Sequence, residues 1–157
     1  MIDFLKSLGV SVPKSINKLN LTGITSDPDS AFDDMIFCPT NAVRYKADIS
    51  HAYRHGCRVF LVRPKTVLPK GAIAMTANDP RTASFAIAKR MYPINNTAFI
   101  TVSAERGITT YGLFLADLMR NLGLKSAFAD SNGAIVSSEQ ISFPNSNTPI
   151  DTFRHLS

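Results

Sequence analysis

The sequence predicts an α/β protein in which an N-terminal α/β domain, residues 1–93, precedes a truncated P-loop-like β-loop-α-β segment, residues 94–157. Two observations lead to this fold class. Strand-like and helix-like runs alternate through the first part, and residues 98–122 then carry a strand pattern, a loop and a helix pattern in that order. With 157 residues, 45% of them hydrophobic, the chain can hold one ordinary domain or one small domain plus a fragment.

Local signals define the elements of the N-terminal part. Gly56 stops a helix that leads into an apolar strand, and Pro80 takes the first helical position of another helix. In chain order, the predicted elements are a helix over residues 47–55, a strand over 58–62, a strand over 73–75 and a helix over 80–91. Residues 93–96 form the predicted boundary between the two parts.

The second part has the order of half a nucleotide-binding βαβ unit. Residues 98–102 are apolar and β-branched, as in a short strand, and residues 111–122 have apolar positions at helical spacing, closed by Gly123. Residues 125–129 are predicted to form the following parallel strand. Because so few strands leave open edges or an uncovered apolar face, we expect this segment to fold back on the N-terminal domain or to pair with a second copy across a two-fold axis.

The loop between this strand and this helix, residues 103–110, is a degenerate phosphate-binding loop. A working loop needs glycines whose N–H groups hold phosphates, a lysine that reaches the terminal phosphates, and a Ser/Thr hydroxyl for Mg²⁺. Gly107, Thr109 and Thr110 match this pattern, whereas Ile108 stands at the lysine position and Glu105 would repel phosphate. These three matching residues are the predicted cofactor-binding set. No catalytic residue is assigned, and neither ATP nor Mg²⁺ is expected as a cofactor.

Five segments follow one another in the order of known motifs: LTGITSD at 21–27, DDMIF at 33–37, NDPR at 78–81 with MYP at 91–93, SAERGITT at 103–110, and NTP at 147–149. At near-family spacing they resemble the L-T-G-I-T-x-D, G-D-L-F-F, D-x-R with F-Y-x-x-P, T-G-T-N-G-K-T-T and N-T-T-P motifs of the Mur ligase family, above all its UDP-N-acetylmuramoyl-tripeptide synthetases. The resemblance implies a Mur-ligase-like N-terminal domain of the UDP-binding type and a remnant of the central ATP-binding domain.

The same resemblance implies where a uridine diphosphate group would bind. The family's D-S-R becomes Asp27-Pro28-Asp29, which puts a carboxylate in place of arginine, and its D-G-H aligns with residues 44–46. At these positions Arg44 and Lys46 would neutralise the charge of the diphosphate, and Tyr45 would stack on the base. The predicted substrate-binding residues are Thr25, Ser26, Arg44, Tyr45, Lys46 and Thr148. For each of them an ordinary role in a solvated loop is an equal alternative.

The substituted loops predict a pseudoenzyme, that is, a non-catalytic Mur-ligase-like protein with an interaction or regulatory role linked to peptidoglycan precursor metabolism and cell wall biogenesis. Its partner would be a cell-wall enzyme or a second copy of the chain. One alternative is a binding protein for a UDP-sugar or a UDP-muramoyl-peptide. A second alternative is an active enzyme with a different chemistry, although no constellation of residues points to one.

Other classes of protein and site have less support. The net charge of +5 comes from Lys and Arg spread along the chain without a nucleic-acid motif, so no nucleic-acid partner is predicted. No long apolar stretch indicates a signal peptide or a membrane span, and a cytoplasmic location is expected.

Cys38 and Cys57 adjoin apolar strand-like runs and are predicted to be buried free thiols. His51 and His55 are spaced like a metal-binding pair on a helix, but no third ligand follows at short spacing, so no metal site is predicted.

Overall fold

The computed structural model describes residues 2–94, 97–103, 105–130, 133–136, 139–142 and 149–156. The chain divides into two compact units, Met1–Pro93 and Ile94–Ser157. Two positions of the expected boundary, 95 and 96, lie outside the described residues. Of the helices that the structure describes, none is long and apolar enough to cross a lipid bilayer.

A parallel four-stranded sheet forms the centre of the first unit, so the chain has the mixed α/β class that its sequence predicts. The strands lie side by side in chain order and are β1 (Gly23–Thr25), β2 (Met35–Phe37), β3 (Val59–Val62) and β4 (Ile73–Thr76). The helices of this unit are α1 (Ile2–Ser7), α2 (Tyr45–Arg54) and α3 (Pro80–Met91).

Both faces of this sheet are buried, as is usual for parallel sheets. Phe37 and Phe60 pack with Ile49 of α2 in one apolar cluster. Because successive side chains of a strand point to opposite faces, Val59 and Leu61 lie on the other face, and they too are fully buried. Helix α3 packs against β1 and β3. The unbroken apolar composition of β3 therefore follows from burial on two sides.

The sequence predicts the bounds of four of these elements to within two residues. The predicted helix over 80–91 is confirmed at both ends by α3. Helix α2 begins two residues before its predicted start and ends one residue before its predicted end, while β3 and β4 each differ from prediction by one residue. Strand β1 was not predicted, because three residues are too short to show a strand period.

The described residues of the second unit form two helices and an antiparallel sheet. Helix α4 spans Ile108–Asn121 and α5 spans Pro149–Leu156, and the strands are β5 (Ala127–Asp130), β6 (Gly133–Val136) and β7 (Glu139–Ser142). The sheet order is β5-β6-β7, so each strand pairs with its neighbour in sequence. Helix α4 begins three residues before its predicted start, and Gly123 follows it with a φ of 79°, as a C-terminal glycine should.

Two predictions for this unit are wrong. Residues 98–102 do not form a strand, and Phe99 and Ile100 are largely exposed. The strand after α4 is not part of a parallel βαβ unit, since β5 pairs antiparallel with β6. These two strands are separated by only two residues in sequence. Pairing two strands that are so near in sequence costs less entropy than a crossover through a helix, which favours the antiparallel pair.

Candidate functional site

The residues predicted for phosphate binding lie at the start of α4. Gly107 precedes the helix with a φ of 73°, in the left-handed region that favours glycine. Thr109 Oγ1 donates a hydrogen bond of 2.6 Å to Asp130 Oδ2 at the end of β5, and Thr110 is exposed. A carboxylate therefore engages the hydroxyl that a phosphate-bound Mg²⁺ would use. It also adds negative charge beside the first turn of the helix.

One face of α4 packs on β5 through small residues. Gly112 and Ala116 are buried, and a Cβ at Gly112 would lie only 1.9 Å from Phe128 Cε2. Ser126 Oγ adds a hydrogen bond of 2.7 Å to the carbonyl of Ala116. This close approach requires glycine at position 112, and it fixes which face of α4 is directed toward the sheet.

The other face of α4 is apolar and exposed. Tyr111, Phe114, Leu118 and Leu122 follow one another at intervals of three, four and four residues, which places them on one side of the helix. Their exposed fractions are 64%, 70%, 43% and 66% respectively. The first three lie within α4, and Leu122 is the residue that directly follows it; we call these four side chains the apolar face of α4. It contains no charged residue.

The residues predicted for uridine binding lie in the first unit, apart from Thr148, which is outside the described residues. Thr25 is buried at the carboxyl end of β1, where its Oγ1 accepts a hydrogen bond of 3.1 Å from the Asp27 N–H. Ser26 follows and is partly buried. Thr25 thus stabilises the turn after β1, and its side chain is not exposed to a ligand.

The predicted phosphate contacts lie at the start of α2. Arg44 is already paired, because its Nε lies 3.3 Å from Asp48 Oδ1. Tyr45 is partly buried against the apolar cluster of the sheet. Lys46 is exposed. Of these three side chains, Lys46 is the one that remains directed toward solvent without a described ion pair, which is weak support for a diphosphate site.

The turn after β1 is held in a fixed conformation beside α2. Asp27 caps the short 3-10 helix Pro28–Ser30, accepting hydrogen bonds from the Asp29 N–H at 3.2 Å and from Ser30 Oγ at 2.7 Å. This 3-10 helix packs against α2. The same turn positions the side chain of Asp29.

Three potential metal ligands converge where the turn meets α2. His51 Nε2 lies 3.1 Å from His55 Nε2 and 3.1 Å from Asp29 Oδ1, and His55 Nε2 lies 3.9 Å from the same carboxylate oxygen. All three side chains are partly exposed. The spacing of the two histidines was visible in the sequence. Asp29 could not be assigned to them, because only the packing of the turn on α2 brings it near.

Asp48 adds a buried carboxylate to this region. It is 6% exposed, and burial raises its pKa, an effect opposed by the positive charge of Arg44 and by His51 and supported by the negative charge of Asp27. Its Oδ1 has no hydrogen-bond partner among the described residues, since Arg44 approaches it as an ion pair only. The surroundings of His51 therefore include two carboxylates, those of Asp29 and Asp48.

Searches with the whole sequence give no relative from which to take a function: no protein-family model matches it, and no curated protein matches it significantly. Two features of the described residues therefore serve as the basis for a functional proposal. One is the apolar face of α4, and the other is the cluster of Asp29, His51 and His55.

Proposed function

We propose that this chain is a non-catalytic protein that associates with a second copy of itself through the apolar face of α4. As its motifs suggest, it would be a pseudoenzyme related to the Mur ligases, with a regulatory role linked to peptidoglycan precursor metabolism. The observation that carries the proposal is the exposure of four large apolar side chains in one line on α4.

The environment of the degenerate loop supports a role without nucleotide chemistry. Ile108 has neither a charge nor a hydrogen-bond donor at the position of the family lysine, and Glu105 adds a carboxylate to the loop. Phosphoryl transfer depends mainly on positioning and on stabilising phosphate charge. A loop without that lysine is poorly equipped for either task.

A second copy fits the apolar face by its chemistry. Burying one apolar side chain of this size is worth about 1.5–3 kcal/mol, and contiguous exposed apolar patches usually mark interaction surfaces. Two copies related by a two-fold axis place the same patch on both sides of an interface. Because the face is uncharged, two chains that each carry a net charge of +5 can meet there without bringing like charges into contact.

The test is the mass of the protein in solution, measured by light scattering and sedimentation over a range of concentrations. We expect a dimer for the unmodified chain and a monomer for Phe114→Glu, because a buried, unpaired carboxylate opposes association. Val67→Glu is the matched control, since Val67 is 89% exposed and lies in the first unit. Circular dichroism would verify that each variant folds.

Two results would contradict self-association. One is an unmodified chain that stays monomeric at every concentration. The other is equal weakening of the dimer by Phe114→Glu and Val67→Glu, which would indicate a nonspecific effect of added charge.

The alternative proposal of a UDP-sugar ligand has its own test. Thermal unfolding with UDP-N-acetylglucosamine would show a higher midpoint if the folded state binds it. Lys46→Ala should then weaken binding by roughly tenfold or more, because a charge-assisted bond to phosphate is worth about 1.5–3 kcal/mol. Lys70→Ala is the control. No shift at saturating ligand would remove this alternative.

A further inference from the structure

Asp29, His51 and His55 bring one ligand atom each to within 4.8 Å of one another. The separations of 3.1, 3.1 and 3.9 Å define a triangle whose three corners lie about 2.0 Å from its circumcentre. Zinc binds imidazole nitrogen at about 2.0–2.1 Å and carboxylate oxygen at about 2.0–2.2 Å. One zinc ion placed at this point therefore lies at bonding distance from all three atoms.

We propose that this chain binds one Zn²⁺ ion through Asp29 Oδ1, His51 Nε2 and His55 Nε2, with water in a fourth position. Two imidazoles and one carboxylate form a donor set that zinc accepts when it keeps an open coordination position. Magnesium and calcium prefer sites made only of oxygen atoms. The partial exposure of the three side chains leaves room for the water.

The protein holds these ligands in place before any ion binds. His51 lies in the last turn of α2, and His55 directly follows the end of the helix, one turn further along. Asp29 belongs to a turn that Asp27 caps with two hydrogen bonds and that packs against the same helix. A site that needs little ordering loses little conformational entropy when the ion binds.

The charge around the cluster also suits a dication. Asp48 interacts electrostatically with His51, and its buried Oδ1 has no hydrogen-bond partner among the described residues. Asp27 contributes a further carboxylate on the turn. Arg44 offsets part of the charge of Asp48, and the remaining carboxylates of Asp27 and Asp29 favour a cation at this position. Asp29, whose carboxylate opposes a diphosphate at this position, becomes a ligand in this arrangement.

Zinc would also tie the turn after β1 to α2, and the free energy of binding would then stabilise the first unit. This inference does not depend on the apolar face of α4, which belongs to the other unit. The two proposals can therefore fail separately.

The test uses the full chain, stripped of metal with EDTA and dialysed, and titrated with Zn²⁺ in competition with a chromophoric chelator. We expect one ion per chain and a higher thermal midpoint with zinc. His51→Ala and Asp29→Asn should each weaken zinc at least about 100-fold, since even the loss of a group that only orients a ligand costs 10–100-fold.

Matched controls come from the same chain. His155→Ala removes the remaining histidine, and Asp117→Asn changes an exposed carboxylate on α4. Both should bind zinc like the unmodified protein, and circular dichroism should show that all variants fold. With Co²⁺ in place of zinc, the visible spectrum should show a site of low coordination number without the charge-transfer band of a thiolate.

Several results would overturn the site. These are no binding with Zn²⁺ in excess, one ion per two chains, equal weakening by the control variants, or a thiolate band from Cys38 or Cys57. Unchanged affinity in folded His51→Ala and Asp29→Asn would leave the pair of histidines as a hydrogen-bonded contact only.

Discussion

A single hydroxyl group joins α3 to the outer edge of the parallel sheet. Tyr92, just after α3, accepts a hydrogen bond of 2.9 Å from the Ile24 N–H and donates one of 2.9 Å to the Ile24 carbonyl. Strand β1 lies at an edge of the sheet, and β2 is its partner. Tyr92 thus satisfies two backbone groups that the sheet leaves open, and Tyr92→Phe removes both bonds while keeping the ring.

The expected cost follows from these two bonds. Each contributes about 0.5–1.5 kcal/mol net, so their loss should lower the free energy of unfolding of the first unit by about 2 kcal/mol. For a domain of this size, each kcal/mol lowers the melting temperature by about 4–8 °C. A decrease of about 8–16 °C is therefore expected.

The assay combines urea unfolding, followed by circular dichroism, with amide hydrogen exchange. The urea midpoint should fall without a change in m-value, and the Ile24 amide should exchange faster because it has lost its acceptor. Tyr45→Phe is the matched control, since Tyr45 lies in the same unit and its hydroxyl makes no hydrogen bond that the structure describes. If Tyr92→Phe stays within about 0.5 kcal/mol of the unmodified chain, the role assigned to this hydroxyl is wrong.

Two further predictions concern a helix cap and a thiol. Asp79 caps α3, and the hydroxyl of Thr82, followed by its N–H, holds the pKa of the Asp79 carboxyl below its usual value. The stabilisation that the ionised Asp79 carboxylate gives to α3 is therefore fully present above the pKa that this carboxyl has in the unfolded chain. It is lost as the pH falls through the lower pKa that the carboxyl has in the folded protein. Asp79→Ala should lower the urea midpoint at neutral pH and have less effect in acid, and a difference that grows in acid would contradict this. Cys38 and Cys57 are buried free thiols, as predicted, and burial raises the pKa of Cys57 to about 11. A thiol reagent at pH 8 should modify Cys57 only after urea unfolds the chain, whereas rapid reaction of the folded protein would show that this thiol is accessible.

Features that depend on neighbouring residues could be predicted from the sequence. Pro80 and the polar residue before it begin α3, and Gly56 follows the end of α2, because caps and helix ends act within one turn of the chain. The apolar run of β3 identified a buried strand for the same reason. The two cysteines were placed correctly because apolar neighbours in sequence are also neighbours in the core.

Pairing between distant segments was decided by the tertiary structure. Residues 98–102 have the composition of a strand, yet a strand needs a partner, and β5 instead pairs with the segment that follows it. The cluster of Asp29, His51 and His55 depends on the tertiary structure in the same way. The spacing of the two histidines is a local property, whereas the third ligand atom, Asp29 Oδ1, reaches them only because a capped turn after β1 packs against α2. Contacts of this kind depend on the whole fold, and no local pattern of residues encodes them.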